Sequence, residues 1–352
     1  MSNQVDHQTA DVPGRTVVPQ EGDRRRRWVR IGLLVLVLAL AAFPLMRGQI
    51  SSFNYVLQVF ILMFMWIAMS SSWNILGGFT GYISLGHNVF FAIGGYFTGT
   101  LLVYYGLSPF VTVIFAGILA TAVALLVGLI ALRAHGPAFI IATIALMLMT
   151  RLTFDNWDWI GSSNGLSLPI PEFSQSIGKI PMYYGMLVAA VGAIALGYRV
   201  HASKFGLGLR AIAQDEIKAE VAGIDTRMYK VLAFGVSAFF IAFAGAFWGY
   251  SLFYLRPSAF LTIAIAADMV LMTILGGKGT VAGPAVGATL IVLVNEFAIA
   301  TFGSTPLNLT FTGVLLIIVL LFFPLGIVGT LQSRAADRRA RHLAAAAAPA
   351  AG

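Results

Sequence analysis

Cysteine is absent from the 352-residue chain. That removes disulfides, thiolate metal sites and thiol nucleophiles together. Charge is scarce as well: Asp, Glu, Lys and Arg make up 10% of the residues, against roughly a quarter in soluble globular proteins. No G-x-x-x-x-G-K-[ST] loop occurs, because Gly277-Lys278 is followed by Gly279 and Gly178-Lys179 by Ile180. The chain therefore has no P-loop with which to hold ATP. It also lacks H-E-x-x-H and G-x-S-x-G. Its five histidines (His7, His87, His135, His201 and His342) include no pair spaced for haem or zinc. No catalytic residue, metal ligand or cofactor is expected of it.

What the chain has in abundance is hydrocarbon, with 59% hydrophobic residues. So apolar a chain needs lipid rather than water as solvent, and its length counts spans rather than soluble domains. The net charge of +8 raises nucleic acid as a partner. The placement of the basic residues, at both tails and in one central loop beside apolar runs, instead fits a protein orienting itself in a membrane.

Residues 1–27 read as a disordered basic tail with Pro13, Gly14, Pro19 and Gly22 and no apolar period. Arg24, Arg25, Arg26, Arg27 and Arg30 then flank a run from Ile31 to Met46. No A-x-A-like cleavage site follows, so a retained first span is expected rather than a signal peptide. Further apolar segments at 54–73, 84–104, 109–132, 137–152, 182–198, 230–255, 259–276, 282–302 and 309–331 are each near the roughly 20 residues that cross a bilayer as a helix. The expected fold is an all-α polytopic membrane protein of about ten transmembrane helices, occupying 28–331, with both termini cytoplasmic. Residues 332–352 form a second tail with Arg334, Arg338, Arg339 and Arg341. That arrangement leaves only Arg47, Arg151, Lys179 and Arg256 of the 22 basic residues outside, as the positive-inside rule asks.

Three features bear on function. The segment Ile75–Gly99 carries seven glycines, including Gly81, Gly94 and Gly95, with Ser84 and His87 among them. Such density serves close helix packing, a broken element lining a solute path, or both. A second cluster, Gly276, Gly277, Gly279, Gly283 and Gly287, also begins Ile-Leu-Gly-Gly. His87 reads as a packing or capping residue more readily than as a ligand.

The loop 199–230 gathers ten charges. Within it Leu209, Ala213, Ile217, Val221 and Ile224 recur every three or four residues. One amphipathic helix over 205–224 is expected, with Arg210, Asp215 and Glu216 off its apolar stripe. Its mixed charge suits a groove on a partner protein better than a lipid surface. Finally, Asp268 and Glu296 fall inside spans, where a carboxylate is costly and is expected to face the bundle interior, as a helix-to-helix hydrogen bonder or as part of a path or gate.

These pieces together resemble the LivM-type permeases of branched-chain amino acid ABC importers. SLGHNVFFAIGGYFTG (84–99) is similar to that family's S-L-G-H-x-x-F-F-x-I-G-x-Y, and LRAHGPAFII (132–141) to its L-R-x-x-G-P-Y-x-A-I. Ser163 to Leu168 resembles G-x-N-G-L-S. FGLGLRAIAQDEIKAEVAGIDTRMYKVLAF (205–234) is similar to R-A-I-R-E-D-E-x-A-A-E-x-x-G-I-x-x-x-x-Y-K-L-x-A-F. Leu275–Gly283 and Phe323–Gly329 resemble L-G-G-x-G-x-x-x-G and R-P-x-G-L-x-G. Ala138 stands where the family often has Tyr, and Phe323 where it often has Arg. The resemblance runs from about residue 54 to 330.

The resemblance implies a bacterial-type plasma (inner) membrane importer with divided labour. A second, homologous permease completes the pore, two ATPase subunits bind the cytoplasmic loops and use the ATP, and an extracytoplasmic binding protein delivers the solute. The 205–224 helix is then the ATPase handle. The outer loop 152–180, with Asp155, Trp157, Asp158, Trp159 and Asn164, faces the binding protein. Relatives carry branched-chain amino acids, urea, short amides or aromatic acids, and the solute stays open at this stage. Two other classes compete. An ion-coupled secondary transporter would want several mid-membrane charges, and a redox-complex anchor would want paired histidines in its spans.

Overall fold

The computed structural model describes residues 21–47, 52–169 and 175–303, and beyond them 310, 313–314, 317–318, 321–323 and 325–347. The chain divides into two compact units, Met1–Ser51 and Ser52–Gly352. In the first, helix α1 (Glu21–Ala42) starts inside the stretch expected to lack structure. It carries the arginine run and ends in the 3-10 turn Phe43–Met46. Its apolar helical part, Leu34–Met46, is shorter than a membrane span.

The second unit is built from α2 (Phe53–Leu76), α3 (Asn88–Tyr105), α4 (Pro109–Ala131), α5 (Pro137–Asp155) and α6 (Gln175–Ala202). There follow α7 (Lys204–Gln214), α8 (Glu216–Val221), α9 (Thr226–Leu252), α10 (Pro257–Phe260), α11 (Ile263–Gly277), α12 (Gly283–Phe302) and α13 (Gly326–Ala347). The strands β1 (Leu166–Ser167) and β2 (Tyr254–Leu255) form a two-residue antiparallel pair, Leu166 opposite Leu255. The protein is an all-α polytopic membrane protein, and seven helical stretches among the described residues are long and apolar enough to cross a bilayer. They begin at Phe53, Pro109, Pro137, Lys179, Thr226, Pro257 and Gly283. Helix α3 is not among them, its hydropathy diluted by Asn88, Thr98, Thr100 and three tyrosines. The expected span 309–331 lies largely outside the described residues.

Polar side chains set the helix starts in the central loop. Ser203, Asp215 and Asp225 accept from the backbone N–H groups of Gly206, Lys218 and Met228 at 3.1, 3.0 and 3.0 Å, and so cap α7, α8 and α9. The single amphipathic helix expected over 205–224 is corrected by this capping. Asp215, in extended conformation, ends α7 and caps α8. The span expected at 259–276 is present as the stretch Pro257–Gly277, its helix interrupted after Phe260, where Asn88 Nδ2 donates to the carbonyls of Phe260 (3.3 Å) and Thr262 (2.9 Å).

Helices α2, α3 and α9 form the centre, with α4 and α6 against them. In lipid no hydrophobic effect pulls helices together, so association depends on close packing. Glycine supplies it here. A Cβ at Gly94 would lie 1.9 Å from the Ala242 carbonyl oxygen, and one at Gly245 would lie 2.0 Å from that of Phe91. Helices α11 and α12 meet the same way, Gly276 against Gly283 and Gly287 against Met272.

Candidate functional site

The glycine-rich segment combines an irregular stretch with a close-packing face. Residues 77–87 are irregular between α2 and α3, and the following turns are the packing face of α3. Gly81 takes φ +81°, which L-residues rarely adopt. Ser84 is fully buried; its carbonyl accepts from Trp73 Nε1 at 2.8 Å, and its Oγ accepts from the Gly86 N–H. His87 is fully buried too. Its Nε2 lies 2.9 Å from Ser237 Oγ, and its ring meets Phe234 edge-on at 5.0 Å. Gly94 and Gly95 face Ala242, Gly245 and Phe260, a packing role.

Asn74, not singled out by sequence reasoning, joins the two Ile-Leu-Gly-Gly helix ends. Its Nδ2 donates to the Thr280 carbonyl at 2.9 Å and its Oδ1 accepts from the Gly279 N–H at 3.0 Å. The Thr273 hydroxyl adds a bond to the Ser70 carbonyl at 3.2 Å. The irregular segments after α2 and α11 are thereby clasped at one end of the bundle.

The same end carries α7 and α8. The expected apolar stripe is split there. Leu209 is buried against the bundle, together with Ile212 and Ala219. Ala213 is exposed, and Ile217 and Val221 are 75% and 86% exposed. The neighbouring charges are engaged inside the chain. An Arg210 guanidinium nitrogen donates to the His201 carbonyl at 2.9 Å, and Asp215 caps α8 and pairs with Lys218 at 3.0 Å. The N–H of Lys218, then its ammonium, hold the Asp215 carboxyl below its ordinary range.

Glu216 is turned into the bundle end. It accepts from Lys230 Nζ at 2.5 Å and from the Tyr82 hydroxyl, and His135 Nε2 lies 3.7 Å away. Lys230 is 1% exposed and also reaches the Tyr82 oxygen at 3.1 Å. Burial pushes the Glu216 carboxyl up, but the bonds from Lys230 and Tyr82 outweigh it and hold the group below its ordinary 4.5. A depressed carboxylate stabilises the fold above its unfolded pKa, and that contribution is lost as pH falls through the folded one. Burial, then Glu216 itself, push the Tyr82 phenol up. Lys230 reads from sequence merely as one of six basic loop residues; its pairing needs the fold.

At the opposite end, residues 156–168 are pinned to 253–256. Tyr104 stacks on Trp159 at 5.5 Å and the Tyr254 hydroxyl donates to the Asn164 carbonyl. Trp157 and Trp159 remain about half exposed. Within the spans, the Tyr55 hydroxyl donates to Glu296 at 2.9 Å, while Asp268 is partly covered and has no ion pair among the described residues. No group of three His, Cys, Asp or Glu side chains fit for a metal occurs among the described residues.

Residues 55–320 match the family described as branched-chain amino acid transport system / permease component. The chain belongs to this family. The LivM high-affinity branched-chain amino acid transport permease of Escherichia coli K12 is 27% identical over 296 residues, covering 76% of this chain and 68% of the relative. LivH of Salmonella typhimurium is 32% identical over 177 residues, covering 49% and 53%. The ribose import permease RbsC of Haemophilus influenzae is 29% identical over 180 residues, covering 48% and 54%. No solved structure matches the chain.

For a permease of this family, Asp268 is the residue whose placement is simplest to test. A cation at mid-bilayer is costly unless it reaches water or a partner. Asp268→Lys is therefore expected to block assembly or uptake, read by the amount of membrane-extracted complex and by solute accumulation. Normal uptake by this variant would place the residue against lipid headgroups or water.

Proposed function

We propose that this chain is a translocation-path subunit of an inner-membrane ABC importer for branched-chain amino acids, driven by separate ATPase subunits. The observation that carries the reading is the uncovered apolar surface of Ala213, Ile217 and Val221 on α7 and α8, in a chain with no P-loop. A pore subunit without its own nucleotide site needs an engine in trans, and these side chains are a handle for one. The proposed topology is ten spans with both termini cytoplasmic, which would put α7, α8, Asn74 and Tyr82 on the cytoplasmic side. A second homologous permease completes the pore and two ATPases dock at the cytoplasmic end. An extracytoplasmic binding protein meets the Trp157–Trp159 platform. The branched-chain substrate rests on the function of the LivM and LivH relatives, both branched-chain amino acid transport permeases; urea, short amides and aromatic acids are the alternatives.

An ion-coupled transporter would need a constellation of buried charges. Asp268 and Glu296 share no ion pair among the described residues, and Glu296 accepts instead from the Tyr55 hydroxyl. Reconstituting the chain with its sister permease and binding protein is the test. Uptake of radiolabelled leucine is expected only when the ATPases and ATP are supplied. Concentrative uptake in a sodium or proton gradient without ATPases would overturn the reading.

A further inference from the structure

Helix α8 is six residues long, and Ala219 is its one buried side chain. Its hold on the bundle is polar. Glu216, its first residue, reaches Lys230 and Tyr82, and Glu220 accepts from the Thr226 hydroxyl at 2.7 Å. Residues 222–225 link it to α9 through Gly223 at φ +86°. A load applied at the exposed Ile217 and Val221 therefore has few stiff routes into the bundle.

The Glu216 route is the best built. Lys230 is buried at the start of α9, so its ammonium cannot part from Glu216 without leaving an uncompensated buried charge. The two move as a unit. Tyr82 completes the set with its hydroxyl on both partners and its ring 4.4 Å beneath the Lys230 ammonium. Its ring edge meets Phe139 of α5 at 5.5 Å. Tyr82 stands on the irregular 77–87 segment directly after Gly81. Two residues on, Ser84 is tied to Trp73 of α2, and the Leu85 N–H donates to Thr143 Oγ1 of α5 at 3.1 Å. A displacement of Glu216 is thus delivered to the segment that opens α3, the helix clamped against α9 by Gly94 and Gly245.

We infer that Glu216, Lys230 and Tyr82 form a transmission linkage, in which the Tyr82 hydroxyl and the Lys230 ammonium are positioning residues that convert movement of α8 into movement of the 77–87 segment. An apolar contact would slip under such a load. An ion pair sharing a directed hydroxyl keeps its register, because the buried Lys230 ammonium, once parted from Glu216, would be left an uncompensated charge inside the bundle. The inference rests on the docking of ATPases at α7 and α8 proposed above.

The linkage is tested on the full complex, with sister permease, ATPases and binding protein, in proteoliposomes supplied with radiolabelled leucine. The quantity read is solute imported per ATP hydrolysed, which loss of folded protein does not change. Tyr82→Phe deletes one oxygen and keeps the ring on Phe139 and Lys230. It is expected to retain its ATPases on co-purification and to lower uptake per ATP about tenfold, within the range of ordinary coupling free energies. Lys230→Gln and Glu216→Gln are expected to uncouple likewise, and Lys230→Arg to preserve coupling. Wild-type uptake per ATP in Tyr82→Phe, with ATPases bound, would overturn the linkage and leave the docking reading standing. Failure of the unmodified chain to retain ATPases would instead overturn the docking reading, and with it the linkage.

Discussion

Ile217→Asp is expected to release the ATPase subunits and abolish uptake while leaving the membrane bundle intact. The side chain is 75% exposed on α8, and its neighbour Val221 on the same short helix is 86% exposed. Within this chain an aspartate at 217 meets water, so the substitution costs the fold little. In a docked complex the same position faces a partner groove. Burying an isoleucine side chain there stabilises the contact by about 1.5–3 kcal/mol. An unpaired carboxylate in its place adds a desolvation cost of roughly 3–5 kcal/mol. Together these reach several factors of ten in affinity, at about 1.4 kcal/mol per factor. Co-purification reads the result directly. A mutant that keeps its ATPases at wild-type stoichiometry and still transports would remove α8 from the docking surface and favour a lipid-facing role for it.

Gly245→Leu is expected to prevent accumulation of the folded protein altogether. A Cβ at that position lies 2.0 Å from the Phe91 carbonyl oxygen, and the obstacle is backbone, which has no rotamer to yield. Gly94, on the facing helix, meets the Ala242 carbonyl at 1.9 Å, so neither helix has slack to retreat from the other. Even Gly245→Ala is expected to cost at least the roughly 1–3 kcal/mol of an overpacked core. Gly197 in α6 is the matched control, since an added Cβ there has nothing within 4 Å. Yield after detergent extraction and the midpoint of thermal aggregation separate the two. Equal yields of Gly245→Leu and Gly197→Ala would mean that α3 and α9 are not held by this contact.

The membrane class was written in composition, because a chain with 10% charge and 59% hydrophobic residues has one available solvent. Most helix positions followed from run length, and the side-chain caps at Ser203, Asp215 and Asp225 were present in the sequence as polar residues before helical turns. Periodicity alone joined α7 and α8 into one helix. A stripe at three- and four-residue spacing carries no mark of the point where a carboxylate prefers to cap a new helix. The same stripe could not say which of its members face the bundle. Leu209 is buried while Ile217 and Val221 are not, and burial is a property of the neighbours that surround a residue.

By itself the sequence determined the solvent, the helical class, the absence of a nucleotide loop and the glycine-rich segments, since each depends on residue type and local spacing. Only the tertiary structure decided the pairings. Asn74 with Gly279, Tyr55 with Glu296, and Tyr82 with Glu216 and Lys230 join positions separated by 205, 241, 134 and 148 residues. No local preference encodes such a contact. It exists because an ammonium or amide removed from water must find its partner wherever the packing of α2, α9, α11 and α12 places one.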